Sequence, residues 1–294
     1  MPAFGQRLVQ LGLATTLAFG FGAPPAADAA PSLKPYRGAG AWLDIFDGPT
    51  LRNPQAVIDR LAANGVRTLY LETANFRAAT DVVHPQPTGQ LIDLAHARGI
   101  KVVAWYLPSF ADKNKDLRRS LAAINFTSPS GQRFDSFALD IESNAVSPLS
   151  KRNAAMLELS RRIRTAVGRD YPLGAIVPDQ RGSSAPPALW PFFPYAQVAK
   201  VYDIFLPMSY SSVRAEGSTG VYRYTRANID FIRARTGNPK TRIHMIGGLA
   251  NTLDAAEAKA VVQAARDGRA IGASYYDLPL TGPEEFSALK RSPR

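Results

Sequence analysis

The sequence predicts an α/β fold: a single-domain (β/α)8 TIM barrel after an N-terminal signal peptide. Three observations carry the prediction. Short apolar runs recur along the chain, with amphipathic stretches between them. Several of those stretches open on a capping residue and close on a glycine. No glycine-rich phosphate loop follows the first run, which weakens the rival open doubly wound sheet. A chain of 294 residues suits one barrel of this kind.

Residues 1–29 are read first and set apart. Arg7 precedes an apolar core from about Leu8 to Phe21, and a small-residue stretch ends in Ala27-Asp28-Ala29. That order of cation, apolar core and small residues is a secretory signal, which predicts a secreted or cell-envelope protein. The apolar core is too short and too broken by glycine for a membrane span of about 20 residues, and no later stretch reaches that length. Residues 30–40 read as a short leader, and 41–294 as the barrel.

The apolar runs begin with Ala41–Phe46, Thr68–Thr73, Lys101–Pro108 and Ser136–Glu142. They continue with Pro172–Pro178, Tyr202–Tyr210, Arg242–Leu249 and Gly272–Leu278. Each is short, rich in β-branched or aromatic residues and bounded by turn formers, as buried parallel strands are. Between them, Asn53-Pro54 opens a helix that ends at Asn64-Gly65. Further helices are predicted from Thr88 to Gly99, Ser150 to Gly168 and Asn251 to Gly268. The stretch "PPALWPFFPYAQVAK" holds too many prolines for one long helix and reads as an irregular aromatic connection.

Composition narrows the function. The chain has no cysteine, so disulfides, thiol nucleophiles and thiolate metal sites are excluded. A core of the size this length allows must supply the stability. The formal net charge is +11, from scattered lysines and arginines with one local cluster, "RRIRTAVGR". Most of that charge reads as solvated surface, with an anionic cell-wall polymer as a further partner class. No nucleic-acid motif is present. The expected partner is a polysaccharide or oligosaccharide, with no cofactor, no metal and a monomeric chain.

In such barrels the active site lies at the carboxyl ends of the strands. Acids collect there: Asp44 on the first run, Glu72 on the second, Asp140 and Glu142 on the fourth, Asp277 on the eighth. Trp105, Tyr106, Met208, Tyr210 and Tyr275 stand at similar positions. Strand alternation puts Ala138, Asp140 and Glu142 on one face and Leu139 and Ile141 on the other. The apolar pair should pack outward, leaving the acids at the mouth. Two carboxyls this close repel, which favours one holding its proton near neutral pH. That pairing suits glycosidic cleavage. The same acids read alternatively as ion-pair partners for the arginines, or as a metal site. His244 sits at the start of its strand, the wrong end for catalysis.

The stretch "DSFALDIE" (135–142) resembles the D-G-x-D-x-D-x-E signature of family 18 glycoside hydrolases, the chitinase-like enzymes. It matches at Asp135, Asp140 and Glu142, and departs at Ser136 and at Ala138, where the family has its middle Asp. "LPMSY" is similar to the family's Met-x-Tyr, at Met208 and Tyr210, whereas the usual strand-eight tryptophan has no counterpart beside Tyr275-Tyr276. The resemblance implies a glycoside hydrolase. Glu142 is then the general acid, Asp140 orients the substrate's acetamido group, and Tyr210 hydrogen-bonds that group. Without the middle Asp, Glu72 becomes a candidate replacement, and Asp140 a candidate direct nucleophile. Met208, Asp44, Trp105, Tyr106, Tyr275 and Asp277 are the expected substrate-binding residues. A carbohydrate-binding barrel that has lost catalysis is the alternative.

Overall fold

The structure is a computed structural model that describes residues 30–184 and 188–293. The predicted signal peptide lies outside the described residues. Eight strands alternate with helices. The strands are β1 (Gly38–Leu43), β2 (Thr68–Asn75), β3 (Lys101–Leu107), β4 (Ser136–Asp140), β5 (Leu173–Val177), β6 (Ile204–Pro207), β7 (His244–Leu249) and β8 (Gly272–Tyr276). The helices are α1 (Gly48–Leu51), α2 (Pro54–Ala63), α3 (Pro85–Ala97), α4 (Lys113–Ile124) and α5 (Leu149–Val167). They continue with α6 (Gln180–Ser183), α7 (Tyr195–Val198), α8 (Gly217–Thr236), α9 (Ala255–Asp267) and α10 (Pro283–Leu289).

All strand pairs are parallel, in the order β6-β5-β4-β3-β2-β1-β8-β7. Bridges Phe205–Ile243 and Met208–Ile246 join the two ends and close the barrel. Closure leaves no free strand edge. Among the described residues no helix is long and apolar enough to cross a membrane.

Each predicted run contains a strand, with small shifts. β1 starts at Gly38, inside the stretch read as a leader, and ends before Phe46. The helix predicted from Asn251 starts at Ala255 instead. Asp254 caps it by accepting from the amides of Ala256 and Glu257, and Ala250–Thr252 form a 3-10 turn. The proline-rich connection holds only short helical turns in its described part, ending in four-residue α7.

Two apolar cores result. The outer one lies between strands and helices and includes Leu139, Ile141, Leu61 and Ile163. The inner one fills the barrel with Trp42, Tyr70, Val103, Trp105, Ala138, Ile176 and Leu206, among others. Trp42 and Tyr70 stack at 4.2 Å, 11° from parallel, and Trp42 meets Trp105 edge-on at 6.0 Å. A Cβ at Gly40 would stand 2.6 Å from the Tyr70 ring, so that ring requires the glycine.

Tyr36 plugs the amino end. Its hydroxyl bonds Ser136 Oγ at 2.7 Å, and its carbonyl meets His244 Nδ1 at 2.9 Å. His244 Nε2 reaches Ser274 Oγ at 3.0 Å. Full burial drives the His244 pKa down to about 4, so it is a neutral hydrogen-bonding core residue. This fits its predicted place at the wrong end.

Candidate active site

The carboxyl ends of the strands converge on one pocket. β4 sends Ala138 and Asp140 inward, and the alternation carries Glu142 onto the same side just past the strand. Leu139 and Ile141 pack outward, as predicted. β2 adds Glu72 and Asn75, β3 Trp105 and Leu107, and β1 Trp42. Met208, Tyr210 and Tyr276 close the far side. The cavity is about 270 Å³. It opens past Phe46, Asn75, Leu107 and Glu142 into an outer cleft of about 570 Å³.

Three carboxyls therefore share one largely apolar pocket. Asp140 is buried, and its Oδ1 has no hydrogen-bond partner among the described residues. Burial, then the charges of Glu142 and Glu72, raises its pKa well above the usual carboxylate range. Burial likewise raises half-buried Glu142. Glu72 is pushed up to about 7, first by burial and then by the charge of Asp44, despite accepting from the Ile45 amide at 3.1 Å. No lysine, arginine or histidine lies within the 4.0 Å ion-pair distance of these three among the described residues. The arginine-paired alternative for these acids is thereby set aside. Burial therefore favours the protonated form of both Asp140 and Glu142, and the charge of Glu142 opposes ionisation of Asp140.

The other acids behave differently. Asp44 Oδ1 accepts from the Phe46 amide at 2.7 Å, and its Oδ2 from the Tyr276 hydroxyl at 2.6 Å. This bond ties β1 to β8 at the mouth. Oxygens of Asp44, Asp47 and Asp277 lie within 4.8 Å of one another. That spacing could admit a cation, but both Asp44 oxygens are already engaged, and Asp277 Oδ1 accepts from the Leu280 amide at 3.2 Å. The trio braces the β1 and β8 loops beside the pocket. Asp135, the first matched residue of the signature, sits at the opposite end of β4. It bonds Lys101 Nζ at 2.7 Å and His96 Nε2 at 2.8 Å.

Of the residues expected to bind substrate, Trp105, Met208 and Tyr210 line the pocket. Asp44 and Asp277 stand one layer behind it. Tyr106 and Tyr275 do not reach it. Each follows or precedes an inward residue, so the strand turns it outward. The Tyr106 hydroxyl donates to Asp116 at 2.6 Å, and that of Tyr275 to the Ala258 carbonyl at 2.7 Å, both beneath the helices. Their predicted role in binding is corrected to packing.

Phe46 and Trp42 are site residues that the sequence reading does not single out, whereas Asn75 follows Glu72 at the carboxyl end of β2, where the site is expected. Phe46 is 77% exposed at the junction of pocket and cleft. In the sequence it reads as the end of an apolar run, and its position between Asp44 and Asp47 is the one local sign of a place at the mouth.

Fold and mouth together define a closed (β/α)8 barrel with a carboxylate-lined, aromatic-walled pocket at the carboxyl ends of its strands. No family model matches the chain, and no curated protein matches it in sequence. Solved structures do match in fold. The endo-β-1,4-mannanase from Thermotoga petrophila superposes with a TM-score of 0.64 at 10% identity, covering 83% of this chain and 68% of its own. The spore cortex-lytic enzyme SleL of Bacillus cereus gives 0.63 at 11% identity, covering 90% and 76%. A chitinase from Chromobacterium violaceum gives 0.58 at 13% identity, covering 87% and 98%. What the chain shares with these proteins is the barrel, of the type glycoside hydrolases use, including family 18 chitinases. Fold alone does not assign chemistry.

Proposed function

We propose that the protein is a glycoside hydrolase acting on a polysaccharide or cell-wall glycan. The observation that carries this reading is the convergence of Glu72, Asp140 and Glu142, without cation partners among the described residues, in one aromatic pocket. The solved structures similar in fold include a mannanase, a cortex-lytic enzyme and chitinases, which supports the same class. The pattern of residues 1–29 supports export.

Glu142 is the general acid. It lines both pocket and cleft, so it can meet a glycosidic oxygen between them, and its raised pKa supplies the proton. Asp140 lies deeper, beneath the sugar ring. It orients an acetamido group when the sugar has one, or attacks the anomeric carbon directly when it does not. Glu72 opposes ionisation of Asp140 from β2, two strands away, the part that a carboxyl at position 138 would otherwise play. Tyr210 stands across the pocket to hydrogen-bond the sugar, and Trp105, Trp42 and Phe46 offer apolar faces.

Replacing Glu142 with Gln tests this. Hydrolysis of at least one glycan by the unsubstituted protein, lost in the variant, supports the reading. Ala138 favours a second reading, a barrel that binds carbohydrate without turnover. Oligosaccharide binding with no cleavage by the unsubstituted protein would establish it.

A further inference from the structure

The outer cleft has a different electrostatic character from the pocket. Among the described residues its only ionisable lining groups are Glu142, at the inner end, and Arg77, in the wall. Arg77 is carried by the loop that follows β2, and three separate bonds hold that loop. Arg119 donates to the carbonyls of Asn75 and Ala78, and Lys115 Nζ donates to that of Phe76 at 3.0 Å. Asn75 Oδ1 accepts from the amides of Arg77 and Ala78 at 2.9 and 3.1 Å. The Arg77 guanidinium lies over the Phe76 ring, 5.0 Å from its centre. Stacked in this way, its N–H edge remains available for a planar anion.

The far wall has a second cation outside its lining. Arg152 lies behind it, donating to the carbonyls of Asn144 and Leu189, both of which line the cleft. Neither Arg77, Lys115 nor Arg152 has a carboxylate within 4.0 Å among the described residues. A minority of the other cations are paired, as at Arg118–Asp81 and Arg164–Asp203. The cleft thus has a protonatable acid at one end and one unpaired cation, Arg77, in its wall.

We propose that the outer cleft binds a sugar that bears a carboxylate, and that Arg77 selects it. The inference rests on the hydrolase reading for which bond is broken, but not for what is bound. It also sets a direction. The acidic sugar lies on the Arg77 side of the scissile bond, away from Glu142, where its charge meets a guanidinium instead of another carboxyl.

The test measures binding in the Glu142→Gln variant, so that no glycan is turned over. Three probes of matched length are titrated: an oligouronate, an oligosaccharide containing N-acetylmuramic acid, and a neutral N-acetylglucosamine oligomer. At least one acidic probe should bind more tightly than the neutral one. Adding Arg77→Gln should weaken that acidic probe about fivefold and flatten its salt dependence, leaving the neutral probe unchanged. Arg77→Glu should weaken it further. Preference for the uronate places the carboxylate on the sugar ring; preference for the muramic acid probe places it on the ether side chain. Equal binding of neutral and acidic probes, no binding of either acidic probe, or no effect of Arg77, would overturn the proposal. If acidic glycan binds through Arg77 but the unsubstituted protein cleaves nothing, the hydrolase reading fails and this one stands. Thermal melting of the Arg77 variants should match that of their parent, because the side chain is exposed.

Discussion

Ala138 lies directly opposite Trp105 in the β3–β4 register, and both side chains point into the barrel. The indole occupies interior space beside the position where the resembling family carries its middle acid. A carboxyl introduced there enters a core already crowded by Trp105, Trp42 and Tyr70, next to buried Asp140. Ala138→Asp should therefore destabilise the fold by about 1–3 kcal/mol and should not raise activity. Urea unfolding and a glycan assay on the same preparation check both parts.

Glu72 makes stability depend on pH. Its pKa rises from an ordinary 4.5 to about 7 in the folded chain. The folded state therefore binds the proton more tightly than the unfolded state. Stability from this group is complete below about pH 4.5 and declines as pH rises through about 7. Glu72→Gln removes the decline and should stabilise the protein by up to about 3 kcal/mol above neutrality. Melting temperature against pH for both proteins shows whether the curves diverge in that window.

Phe46 is exposed and holds no part of the core, so its loss should leave folding intact. If it carries a sugar face, Phe46→Ala should raise KM about 5- to 10-fold with little change in kcat. Steady-state kinetics on any cleaved oligosaccharide measures this.

Tyr106 supplies the opposite case. Its hydroxyl is buried against Asp116, away from the pocket. Tyr106→Phe should cost about 1–2 kcal/mol of stability and leave KM and kcat as they were. A changed KM would return Tyr106 to the binding site.

The strands were legible because buried parallel strands are nearly unbroken apolar runs, and this chain has eight. The acid pair was legible because Leu139 and Ile141 fix the parity of β4 around it. Parity was not legible in β3 and β8. There Trp105-Tyr106 and Tyr275-Tyr276 are aromatic on both faces, with no charge to mark the inward one. Helix α4 was hidden because it buries the polar residues Asp116, Arg119 and Ser120, so its inward face does not read as an apolar stripe. Helix α8 was hidden because Thr225 and Asn228 interrupt its buried stripe of Val221, Ile229 and Ile232. The outer cleft depends on loops from β1, β2, β4 and β5 meeting in space, which no single segment encodes.

The central claim is that Glu142 delivers the proton in glycoside cleavage from a pocket it shares with Asp140 and Glu72. The most direct measurement is reducing-sugar release from a panel of cell-wall and plant glycans, by the unsubstituted protein and by Glu142→Gln. At least one glycan should be cleaved, activity should fall as pH rises past the raised pKa of Glu142, and the variant should be slower by about 100- to 10,000-fold while still folded. A panel left wholly uncleaved, or a folded variant as active as its parent, would contradict it.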